Sequence, residues 1–210
     1  MSTRTQLTRR EFFRVASVAV PAVLLGACAP KLVPETDIPV TPSAAPTKEN
    51  IDPVVPEMLL IKAGSCDMGS TDGYPDEQPV RTTRITKPFL MGRYEVTFDE
   101  YDRFCRDRAH AKPDDGGHGR GRVPVWQVDW YDAVAYCNWL SEKERLSPCY
   151  KGSGRSTMCD FSAEGYRLPT ETEWEYTARG GPKSQGCAYA GNNNPYEVGW
   201  YEATSDGHPH

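Results

Sequence analysis

The residues with most scope for chemistry in this 210-residue chain are its seven cysteines, its 29 acidic side chains and its four histidines. A thiolate pair selects soft metals such as Cu(I). Cys105 and Cys137 fall within aromatic-rich helical patterns that could carry such a pair, although two core thiols or a buried disulfide is the plainer reading. There is no Cys-x-x-Cys and no nearby His pair, so the spacing is not that of a zinc site. Asp72, Asp76, Glu77, Asp114 and Asp115 are hard oxygen donors, and Gly191 to Pro195 adds asparagine carbonyls. Calcium is therefore a candidate ligand, needing roughly six to eight oxygens, against the plainer reading of solvated turn carboxylates. His110, His118, His208 and His210 offer no metal-binding pair at helical spacing.

The N-terminus reads as an address. Arg9-Arg10 precede Phe12-Phe13, an apolar run from Val15 to Ala27 follows, and then comes Cys28. Thirteen residues are too few for a mature transmembrane helix, which needs ~20. Basic, then apolar, then small residues make an export signal, and the paired arginines match the twin-arginine type. Leu25-Gly26-Ala27-Cys28 resembles a bacterial lipobox, which would make Cys28 the lipidated first residue of the mature chain. The domain is thus expected on the periplasmic side of the bacterial cell envelope or at the outer membrane, held by acyl chains. Residues 29–56, with seven prolines and no aromatic residue, read as an extended tether, giving a division at 1–27, 28–56 and 57–210.

An exported chain sits where disulfides persist. Cys28 apart, six cysteines remain, enough for three bridges. Cys149 and Cys159 flank a polar, Gly-rich loop and are the favoured pair; closing that loop would stabilise it by about 2–3 kcal/mol. The pairing of Cys66, Cys105, Cys137 and Cys187 stays open. Residues 1–27 hold four arginines and one glutamate, so the mature balance is 20 basic to 28 acidic. Such a chain lacks the clustered basic residues that nucleic acid demands.

Three short helices would position these groups. Thr97 and Glu100 form a capping box, and Tyr101, Phe104, Cys105 and Arg108 then share one face. Asp129 caps the second helix, with Asp132 in its first turn. Pro169 stops the preceding segment, Thr170 and Glu173 box the third helix, Glu175 and Arg179 pair one turn apart, and Gly180 supplies the left-handed exit. Strands are expected at Glu57 to Gly64, at "RTTRIT" and at "FLMGRYEV", with "CDMGSTDGYPDEQPV" mostly loop and "HAKPDDGGHGRGR" a flexible loop. Trp126, Trp130, Trp139 and Trp174 read as core.

Together, "AGSCDMGSTDGYPDEQPV", "MGRYEVTFDEYDRFC", "VPVWQVDWYDAVAYCNWLSEKE", "GYRLPTETEWEYTARGG" and "YAGNNNPYEVGWY" resemble, in order, the formylglycine-generating enzyme or sulfatase-modifying factor family. The resemblance implies an α+β fold related to C-type lectins, with short strands, about three short helices and much irregular loop. It implies a parent activity: copper- and oxygen-dependent oxidation of a protein cysteine to formylglycine. The family's copper cysteines lie beyond a Gly-Asn-x-Trp-Glu-Trp motif that this chain does not contain, so the domain is expected to be incomplete at its C-terminus. No catalytic or metal residue is assigned and no cofactor is expected in this chain, copper being the cofactor of a full-length active member. Cys66 stands where the family has an aromatic residue, and Arg81 where a histidine is common. Whether the protein is an enzyme is left open. The alternative is a non-catalytic cell-envelope binding or scaffold module. The expected partners are the membrane, through the lipid anchor, and a protein or peptide substrate.

Overall fold

The computed structural model describes residues 19–21, 55–71, 74–187, 189–199 and 204–205. Arg9, Arg10 and Cys28, the export and lipidation residues, lie outside them. Among the described residues no helix is long and apolar enough to cross a membrane.

Strand β1 (Ala19–Pro21) pairs antiparallel with β5 (Phe89–Gly92), whose other edge takes β2 (Met58–Ile61). Strand β1 falls inside residues 1–27, the segment read as an export signal. A correction concerns Cys66–Met68, which open a stretch expected to be mostly loop: with Gly64 and Ser65 they form β3 (Gly64–Met68), paired along its whole length with β4 (Arg81–Ile85). Its own residues, Gly-Ser-Cys-Asp-Met, have little strand character. The partner strand and the packing of Cys66 beneath it supply the order instead.

Helices α1 (Phe98–Arg108), α2 (Trp130–Lys143) and α3 (Glu171–Ala178) begin where their boxes place them. Thr97, Asp129 and Thr170 each accept the amide three residues on, and Glu100, Asp132 and Glu173 each return a carboxylate to the cap amide. Orphan amides of the first turn are thereby satisfied. Helix α1 ends on Ala109 in the left-handed region (φ 50°), its amide bonded to the Cys105 carbonyl.

The larger core lies between α1 and α2. Phe98, Tyr101, Phe104 and Cys105 meet Val134, Tyr136, Cys137, Trp139 and Leu140, with Tyr101 stacked on Tyr136 at 5.7 Å. A smaller cluster of Phe89, Met91 and Tyr176 joins the strands to α3. The loop 110–124 is tied down rather than loose. Arg120 bonds Asp102 (Nε to Oδ2, 3.0 Å) and the Pro113 carbonyl (2.9 Å), and lies over the Phe98 ring. Strands β6 (Tyr150–Lys151) and β7 (Met158–Cys159) form a small hairpin.

Candidate functional site

The stretch 165–181 carries two largely buried ion pairs, Arg167–Glu173 and Arg179–Glu175. Pro169 forces an extended entry, so Arg167 lies back along α3. There its guanidinium grips Glu173 with two bonds of 2.6 Å and bonds the Leu168 carbonyl at 3.1 Å. Burial pushes the Glu173 carboxyl up, but Arg167 and the Thr170 amide outweigh it and hold it below the usual value. One turn on, Glu175 accepts from Arg179 (2.6 Å) and from the Gly69 amide (3.0 Å), while Arg179 donates to the Gly69 carbonyl (2.8 Å). The Tyr176 hydroxyl donates to the Lys62 carbonyl at 2.9 Å. Each of these groups locks α3 to the strands or to its own entry segment.

A second junction lies behind it. The Ser141 hydroxyl donates to the Cys137 carbonyl (2.8 Å) and accepts from the Tyr166 amide (2.8 Å). Asn138 brackets Tyr150, donating to its carbonyl and accepting from its amide. The Leu168 amide donates to the Tyr150 hydroxyl (3.0 Å). Gly165 is required here, because a Cβ would stand 2.3 Å from the Ser147 carbonyl oxygen.

The expected Cys149–Cys159 bridge is not formed: all six described cysteines are free thiols. Tyr150 pairs with Cys159, and the Asp160 amide bonds the Cys149 carbonyl at 2.7 Å. Both side chains nonetheless face the larger core: Cys149 belongs to that cluster and Cys159 packs against it. Cys149 instead donates to the Gly165 carbonyl at 3.1 Å.

The surroundings of these cysteines also favour the neutral thiol. Burial pushes the Cys105, Cys137, Cys149 and Cys159 thiols up, and a metal needs the thiolate. No oxidative step is derived from them. Several of the calcium candidates also have partners. Asp114 and Asp115 accept the Gly116 and Gly117 amides. Asn192 and Asn194 donate to Glu197, and their own carbonyls accept the Asn194 and Tyr196 amides. Asp72 lies outside the described residues. Among the described residues no three or more His, Cys, Asp or Glu converge to hold a metal.

The tryptophans divide. Trp139 is core and donates to Asp107 at 3.2 Å. Trp130, expected in the core, is 47% exposed at the start of α2, edge-on to exposed Tyr131 at 5.1 Å. It also packs edge-on against Tyr150. Phe161, 63% exposed, lies beside Arg167 at 5.1 Å. Helical periodicity alone does not reveal that these aromatics are exposed.

This locked helix, fed by an extended Leu-Pro entry, lies within the stretch matched by the family model for the sulfatase-modifying factor enzyme 1-like domain, residues 43–208. The chain belongs to that family. Chaperone protein LppX of Paenibacillus barcinonensis is 37% identical to this sulfatase-modifying-factor domain over 174 residues, covering 76% of this chain and 58% of LppX. The formylglycine-generating enzyme of Thermomonospora curvata is 29% identical, covering 59% of this chain and 49% of that enzyme. Among solved structures, Treponema denticola variable protein 1 aligns with a TM-score of 0.55 and 29% identity, over 67% of this chain and 58% of that one. The α+β reading with short strands and three helices agrees with these likenesses. The chain spans about half the length of the curated relatives it matches.

Proposed function

We propose that this sulfatase-modifying-factor domain serves in the bacterial cell envelope as a lipid-anchored binding module for proteins, chaperone-like rather than oxidative. Arg9-Arg10 would direct export, Cys28 would carry the anchor, and the proline-rich tether would hold the domain off the membrane. One observation carries the reading. Arg167, Glu173, Glu175 and Arg179 are consumed in locking α3, and exposed aromatics stand near that lock. Such a surface binds; it presents no titrating group to a reacting atom. The similarity to a protein named as a chaperone supports it.

The second reading is the parent activity, copper-dependent oxidation of a protein cysteine to formylglycine, favoured by the likeness to the Thermomonospora curvata enzyme. Incubating the copper-loaded product of the whole gene with a Cys-x-Pro-x-Arg peptide separates the two. The expected outcome is an unchanged peptide mass and oxygen uptake at background. Copper-dependent conversion of that cysteine would replace the binding module with the oxidase.

A further inference from the structure

Strand β4 carries positive charge on an acidic chain. Between Gln78 and Tyr94 stand Arg81, Arg84, Lys87 and Arg93 and no acidic residue, although the whole chain has a net charge of −5. Arg93 is committed to Glu57 at 2.7 Å. Arg81, Arg84 and Lys87 are exposed and have no acidic partner among the described residues. The backbone that bears them is half paired. Strand β3 takes one edge of β4, from Met68 opposite Arg81 to Gly64 opposite Ile85, and no described strand takes the other. The strand is nevertheless fixed: Ile85 packs on the cluster of Phe89, Met91 and Tyr176, and the Thr82 hydroxyl donates to Asp67 at 2.6 Å. Charge on an edge strand commonly turns other strands away. A single sign does so selectively. It repels a second copy of the same edge and any basic segment, and it favours an acidic one. Arg81 and Arg84 lie three residues apart, so their side chains leave opposite faces of β4. A segment laid along the edge would bring one side chain opposite each, within reach of a cross-strand ion pair. The matching segment therefore carries acidic residues at i and i+3.

We propose that the outer edge of β4, Arg81–Ile85, is a strand-accepting site for an extended acidic segment of a client protein. This rests on the binding-module reading and names the class of segment held. Backbone bonds along the open edge supply the affinity, and Arg81 and Arg84 supply the choice of sequence. Lys87 extends the positive field beyond the strand end. Exposed charges of this kind are screened by salt, so recognition is strongest at low ionic strength.

The experiment is the binding of three short Thr/Val peptides to the 1–210 chain carrying Cys28→Ser, followed by fluorescence anisotropy at low salt. The peptides differ only at two positions three residues apart, which hold glutamate, glutamine or lysine. The glutamate peptide should bind about tenfold more tightly than the glutamine one, and the lysine peptide least. Arg81→Glu/Arg84→Glu should reverse that order. Should that variant not fold, Arg81→Gln/Arg84→Gln gives the same reading by losing the glutamate preference. The bound glutamate peptide should also slow amide exchange within Arg81–Ile85. Equal affinity for the three peptides would overturn the proposal, as would an order unchanged in both variants. So would glutamate-peptide binding that leaves exchange within Arg81–Ile85 unaltered. Arginine-dependent co-sedimentation with phosphatidylglycerol vesicles, without any peptide binding, would overturn it too and assign the patch to anionic lipid. The copper and oxygen-uptake measurement decides the binding-module reading by itself. An unconverted cysteine there with equal peptide affinities here would keep that reading and remove this site.

Discussion

The Gly69 amide donates to the Glu175 carboxylate across 3.0 Å, joining residues 106 positions apart. Arg179 closes the same ring by bonding both Glu175 and the Gly69 carbonyl. A loop with a left-handed glycine (φ 97°) is thus held on one turn of a short helix, and α3 is fixed against β3 by polar contacts as much as by packing. Replacing Gly69 by alanine would force a Cβ to within 2.4 Å of the Glu77 carbonyl oxygen in a backbone region that side chains avoid. The expected cost is about 1–3 kcal/mol, read as a lower urea midpoint.

The Arg167–Glu173 pair is nearly buried, with side-chain exposures of 8% and 14%. Arg167→Met leaves a carboxylate uncompensated and should destabilise by about 3–5 kcal/mol. Adding Glu173→Gln to that variant should recover part of the loss. A double-mutant cycle in urea checks both, and additive losses would show that the two residues act separately.

Acid should act through the same pair. The Glu173 carboxyl is held below its ordinary value of 4.5. A group depressed in the folded state contributes stability above its unfolded value, and that contribution is lost as pH falls through the folded one. Stability should therefore drop below about pH 4.5, and the gap between wild type and Glu173→Gln should narrow over the same range. Urea midpoints at neutral pH and at successively lower values measure it.

Each helix cap predicts a modest loss. Thr97→Ala, Asp129→Ala and Thr170→Ala each remove an acceptor for an otherwise orphan amide. The expected cost is about 1 kcal/mol apiece. Thermal denaturation of the three variants gives the order, and Thr170→Ala should fall furthest because its Glu173 partner also anchors Arg167.

The structure predicts free thiols. In the Cys28→Ser chain six should label after unfolding without reductant, and reductant should leave the melting temperature unchanged. Cys137 and Cys149, wholly buried, should label only once the fold opens. Titration of fewer thiols would restore the Cys149–Cys159 bridge.

The helices were legible in the residues because their causes are local. A capping side chain, a carboxylate three residues on and an apolar stripe all lie within a few turns of one another, so Thr97, Asp129 and Thr170 mark their helices without tertiary help. The Glu175–Arg179 pair is local in the same way. Strand β3 was illegible because Gly64–Met68 gains its order from β4, seventeen residues on at Cys66 and Thr83. The exposure of Trp130 and the free thiols of Cys149 and Cys159 were hidden for a related reason. Helical periodicity ranks faces but does not say where the covered face ends, and loop length does not reveal strand register.

By itself, then, the order of residues determined where helices begin, the acidic balance of the chain and the family to which it belongs, since each rests on neighbours in sequence or on motifs read in series. Only the tertiary structure decided which edge of β5 the N-terminal segment covers, that Gly69 serves Glu175, and that the motif's charges are spent on locking α3. Those outcomes depend on pairings between distant segments, whose free energy is realised only when both partners are already in place.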